Sequence, residues 1–84
     1  MLLPILVFTS AKASLADDEF YAIIQKRPQG KTGTWIIGGR QIVVKQSTEL
    51  ETDEGPLVVG ACVEVDYDDD RVSEIETEER YKCR

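Results

Sequence analysis

From Phe20 onward the apolar residues recur at every second position, and β-branched and aromatic types dominate among them. That is the period of a half-buried strand, whose successive side chains point to opposite faces. Five strands are predicted. The first, Phe20 to Lys26, is stopped by Arg27-Pro28-Gln29-Gly30, where proline fixes φ and glycine permits a turn. The second is Gly33 to Ile37, with Trp35 and Ile37 sharing a face. Gly38-Gly39 joins it to the third, Arg40 to Gln46, through a two-residue hairpin loop, since primed turns need positive φ. The fourth, Ala61 to Tyr67, sets Ala61, Val63, Val65 and Tyr67 against Cys62, Glu64 and Asp66. Asp68-Asp69-Asp70 turns the chain into the fifth, Arg71 to Thr77. Val72 and Ile75 stand three apart, so burying both predicts a β-bulge.

Between Gln46 and Ala61 the alternation lapses. One short helical turn is expected there, capped by Ser47 or Thr48 and ended by Gly55-Pro56, because proline cannot continue a helix. Three strands, an irregular crossover and two more strands is the order of an OB-type barrel, and closing a sheet removes its exposed edges. The predicted fold class is all-β, a small five-stranded OB-like barrel. An SH3-like barrel or an open meander fits the same pattern.

The chain opens differently, with MLLPILVFTSAKASLA. A short apolar run, small residues after it and the acidic Asp17-Asp18-Glu19 have the form of a secretory signal at 1–16, cut after Ala16, with Ala13 the alternative. No basic side chain precedes the apolar run, so the signal is atypical or its true start lies upstream. The run is far below the ~20 apolar residues of a spanning helix. A buried N-terminal strand is the competing structural reading. Residues 17–84 then form a single exported β domain with a polar tail, Glu78 to Arg84, periplasmic or secreted, with no membrane span after cleavage.

At 84 residues the chain has room for one small domain. Such a domain buries only about 60% of its unfolded surface and is marginal on core alone, so a covalent staple is expected. Cys62 and Cys83 are its two cysteines, and an exported domain meets an oxidising compartment. A disulfide between them would contribute about 3 kcal/mol in the chain-entropy model. Two free thiols, or an intermolecular bond through Cys83, are the alternatives. A net charge of −6 argues against nucleic acid, whose phosphates need a basic face. The absence of histidine excludes imidazole catalysis, and no phosphate-binding loop or nucleophile motif occurs. The chain reads as a non-enzyme that needs no cofactor.

Nine of the sixteen residues from Glu64 to Glu79 are acids. Asp66, Asp68 and Asp70 have the spacing of the first three calcium ligands of an EF-hand, but Arg71 stands where glycine is needed and Thr77 where the bidentate glutamate belongs. The hairpin therefore reads first as a solvated surface that opposes edge pairing, and second as a divalent-cation site. Arg27, Lys31 and Arg40 are the candidate contact residues for a partner. Trp35 and Tyr67 are assigned to the core rather than to ligand stacking.

The stretches Tyr21-Ala22-Ile23-Ile24, Gly33-Thr34-Trp35-Ile36-Ile37-Gly38-Gly39-Arg40 and Val59-Gly60-Ala61-Cys62-Val63-Glu64-Val65, with Gly55-Pro56 and Ile75-Glu76, carry a resemblance. Over about two thirds of its length the chain resembles the small exported bacterial family known as domain of unknown function 5666. The resemblance implies a strand-built domain that follows a signal peptide, and it supplies no catalytic residues and no ligand. Asp68-Asp69-Asp70 departs from the Asp-Gly turn frequent in that family. The expected function is a non-enzymatic exported binding or interaction module, monomeric or docking to another envelope protein. The alternative is a weak divalent-cation or small-ligand domain using the acidic hairpin.

Overall fold

The computed structural model describes residues 19–84. The expected leader at 1–16 and its cut after Ala16 or Ala13 lie outside the described residues. Six strands form: β1 (Glu19–Lys26), β2 (Gly33–Ile37), β3 (Arg40–Val44), β4 (Glu49–Glu51), β5 (Cys62–Asp68) and β6 (Arg71–Thr77). A 3-10 turn, Arg80–Cys83, follows. The strands make one mixed sheet in the order β3-β2-β1-β5-β6-β4, antiparallel except where β4 runs parallel to β6.

The alternation sets the core. Ile24, Trp35, Ile37, Ile42, Val44, Val63, Val65 and Ile75 are fully buried, joined by Leu57 and Val72. Residues of β3 and β6, far apart in the strand order, belong to this same cluster, so the sheet curls over it. Gly38 and Gly39 both carry positive φ, as a primed hairpin turn needs. Gly38 also lies flat on β1, where a β-carbon would come 2.5 Å from that of Ala22. The expected bulge is present. Asp66 pairs with Glu74 and Tyr67 with Val72, leaving Ser73 unopposed, and both Val72 and Ile75 are buried.

The crossover corrects the expectation. Where a capped helical turn was predicted, Lys45 to Thr48 form a tight turn, and Glu49–Glu51 extend along β6 with Leu50 half-buried. Thr48 decides this local path. Buried to 1% exposure, its hydroxyl accepts from the Lys45 amide at 3.0 Å and donates to the Val72 carbonyl at 3.0 Å. Those bonds satisfy one backbone group on either side, in the tight turn and on β6, and so fix the approach of the chain to β6. The sheet therefore has six strands rather than five, and it is an open mixed sheet rather than a closed ring of paired strands. Nor is it a meander, because β1 pairs with β5 across the crossover.

Cys62 and Cys83 form a disulfide with a Cα separation of 5.8 Å. Cys62 points away from the apolar cluster, as the alternation requires, yet it is buried at 3% exposure. The bond ties the 3-10 turn to β5 at Cys62.

Candidate functional site

The face of the sheet opposite the core is built from the outward positions of β1, β5, β6 and β4. Pairing register fixes which residues meet. In one row Glu19 opposes Asp66, Asp66 opposes Glu74, and Glu74 opposes Glu49. In the next, Tyr21 opposes Glu64, Glu64 opposes Glu76, and Glu76 opposes Glu51. Glu78 continues beyond the end of β6, its amide donating to the Cys62 carbonyl at 2.8 Å. The result is a carboxylate ladder across four strands. Like charges directly opposite one another destabilise a sheet, so this arrangement costs folding free energy.

Two groups of acids draw especially close. Carboxylate oxygens of Glu19, Glu64 and Asp66 lie within 4.8 Å of one another, as do those of Glu64, Glu76 and Glu78. Glu64 belongs to both. Its carboxyl is pushed up to about 9, by a hydrogen bond to Asp66, by burial, and by a hydrogen bond to Glu19. Glu76 rises to about 7 through its hydrogen bond to Glu78 and through burial. Glu74 is raised by burial and by the Asp66 charge, whereas Glu78 is lowered chiefly because Glu76 donates to it. Glu64 and Glu76 are thus the carboxyls that donate hydrogen bonds within the ladder. Among the described residues, Asp66 Oδ1 is buried with no hydrogen-bond partner.

Among the described residues, Lys82 is the cation that pairs with an acid of this face. Lys82 Nζ lies 3.5 Å from Glu78 and 5.7 Å from the centre of the Tyr21 ring, and the Glu78 charge raises its pKa. It sits in the turn that the disulfide anchors.

The sequence candidates fall elsewhere. Of Asp66, Asp68 and Asp70, Asp66 alone joins the close groups. Asp68 is exposed and pairs with Arg71 at 3.8 Å, and Asp70 occupies the exposed hairpin turn. The bulge at Ser73 lies between the ladder and the tip, and a bulge bends its strand and increases its twist.

Arg27, Lys31 and Arg40 are engaged within the domain. Arg27 lies 4.0 Å above the Trp35 ring and donates from Nη1 to the Leu57 carbonyl at 2.6 Å. It also donates to Gly30 at 2.9 Å and to Pro28 at 3.1 Å. Lys31 Nζ donates to the Gln46 carbonyl at 2.7 Å, and the Lys31 carbonyl accepts from the Trp35 indole at 2.9 Å. Arg40 stacks 3.9 Å over the Phe20 ring. These cations hold loops and aromatics in place. Trp35 is buried as expected, while Tyr67 is half-buried against Phe20, ring centres 6.4 Å apart.

Sequence reasoning missed Glu19, Glu49 and Glu51. Each occupies an outward position of a strand, but only the strand order brings them beside Asp66, Glu74 and Glu76. Comparison with known proteins adds no relative: no family model, no curated protein and no solved structure matches the chain. Among the described residues, no helix is long and apolar enough to cross a membrane.

Proposed function

We propose that the protein is a non-enzymatic binding module of the bacterial envelope whose working surface is the carboxylate ladder and whose partner is a basic segment of another envelope protein. The observation that carries this is the register itself, which sets Glu19, Asp66, Glu74 and Glu49 in one row and Glu64, Glu76 and Glu51 in the next. Such a face costs stability alone and recovers it when cations cover it. The disulfide supports an oxidising compartment, and the resemblance to exported small domains supports the same location. As for architecture, β4 follows β3 after four residues and lies on β6, at the opposite end of the strand order. That continuity supports an OB-like barrel in which β3 and β4 together span the seam.

A second reading has its own observation. Asp66 Oδ1 lacks a partner, and the oxygens of Glu19 and Glu64 are close enough to share a divalent ion with it.

Melting curves separate these readings. Oligolysine in moderate salt should raise the melting temperature, since a ligand of the native state stabilises it by mass action. The triple variant Glu49→Gln, Glu51→Gln, Glu78→Gln should lose most of that rise. A rise with CaCl2 beyond that with NaCl of equal ionic strength would favour the ion. No shift with any cation would remove the ladder as a binding surface.

A further inference from the structure

At the other side of the molecule, β3 is paired on one side only, with β2. Ile37 and Arg40 flank a two-residue primed turn and are therefore a hydrogen-bonded pair, as are Trp35 with Ile42 and Gly33 with Val44. The backbone N–H and C=O groups of Gln41 and Val43 then point away from β2, toward the free edge. Among the described residues, none is assigned to pair with them along that edge. A groove of about 520 Å³ borders this edge. Gln41, Val43 and Lys45 line one wall, and Tyr67, Arg71 and Val72 the other, with Asp70 at the rim.

An unpaired edge is a template for another strand, and small β proteins usually blunt it with charge. The β4 edge is blunted in that way, being three residues long with glutamate at both ends. The middle of β3 is different, for Val43 is apolar and 53% exposed. The groove also gathers two cations in a chain of net charge −6: Lys45, and Arg71 with Asp68 3.8 Å from it, face Asp70.

We infer that this seam binds an extended segment of another polypeptide as an added strand on β3. The backbone of Gln41 and Val43 supplies the pairing, and an apolar side chain of the segment packs on Val43, Tyr67 and Val72. Acidic flanking residues of the segment meet Lys45 and Arg71. Strand addition draws affinity from main-chain hydrogen bonds and specificity from the alternate side chains. A second copy of this chain is the poorer occupant, because two bodies of charge −6 repel. The inference is independent of the carboxylate ladder, none of whose acids lines the groove.

The test uses the blocked peptide Glu-Val-Thr-Val-Glu and its lysine-flanked counterpart, titrated into the isotopically labelled protein. The acidic peptide should shift the amide signals of Gln41 and Val43 and slow their hydrogen exchange about tenfold or more. The lysine-flanked peptide should bind more weakly. Val43→Pro should abolish binding with little loss of fold, because proline is tolerated on an edge where the N–H faces outward. N-methylation of the peptide along one edge should do the same without touching the protein. The inference is overturned if neither peptide binds at millimolar concentration, if the lysine peptide binds as well, or if the shifts cluster on β5 and β6 away from the groove. Protection of Gln41 and Val43 that grows with protein concentration alone would assign the seam to self-association instead.

Discussion

The cations of the β1–β2 side and the carboxylates of the β5–β6 side are distributed by opposite rules. Arg27, Lys31 and Arg40 each find backbone carbonyls or an aromatic ring within the domain. The acids of the ladder find chiefly one another, with Lys82 reaching in from the 3-10 turn. The lesson is that the sign of an exposed charge says little about its role until its partners are counted. A guanidinium with three carbonyls to serve is part of the framework. A carboxylate facing carboxylates is an unmet demand.

That contrast can be broken at its weakest seam, the disulfide, which fastens the turn bearing Lys82. Replacing Cys62 and Cys83 with serine should cost about 3 kcal/mol, measured by chemical denaturation. It should also steepen the pH dependence of stability, because the cation is then free to leave. An unchanged midpoint would mean that the turn holds its place without the bond.

On the other side, Arg27→Ala should cost about 2 kcal/mol, because charge-assisted bonds to the Leu57 and Gly30 carbonyls vanish and the Trp35 ring loses its cover. Arg27→Lys should recover only part of this, since an ammonium cannot fork between carbonyls while stacking. Full tolerance of both changes would return Arg27 to the candidate contact residues.

The smallest expected effect sharpens the contrast most. Glu64 is raised to about 9 and Glu76 to about 7, so the folded state keeps protons that the unfolded chain releases near 4.5. Stability should therefore fall as pH climbs from about 4.5 toward 9. Glu78 is shifted the other way and contributes its opposing slope only below its ordinary value. Solvent screens these part-exposed carboxyls and leaves a fraction of the nominal effect, so the melting temperature should be a few degrees higher at pH 5.5 than at pH 8.5 (about 1 kcal/mol moves a domain of this size by 4–8 °C). Glu64→Gln should flatten the difference. A profile that rises with pH would show that the acids do not share protons.

Much of the architecture could be read from alternation. The faces of Trp35, Ile42, Val63 and Val65, the Gly38-Gly39 hairpin and the bulge near Val72 all follow from local spacing. The disulfide followed from two cysteines in a small domain of the kind that needs a staple. What escaped is nonlocal. The strand at Glu49–Glu51 exists because β6 lies beside it and the Val72 carbonyl accepts from the Thr48 hydroxyl, and neither partner lies within residues 47–51. For the same reason the acids were grouped along one strand, at Asp66, Asp68 and Asp70, when the sheet groups them across strands. Likewise, Arg27 looked available because its distant acceptor, the Leu57 carbonyl thirty residues away, carries no sequence mark.

The unopposed Ser73 bears on how this surface could change by insertion or deletion. Removing that single codon would leave Val72, Ile75 and Thr77 on the inner side and Glu74 and Glu76 on the outer, because a deletion at a bulge restores plain alternation. The hairpin would straighten, and Asp68 would come into line with Glu64 and Asp66. A one-residue deletion would therefore lengthen the acidic row without disturbing the apolar interior.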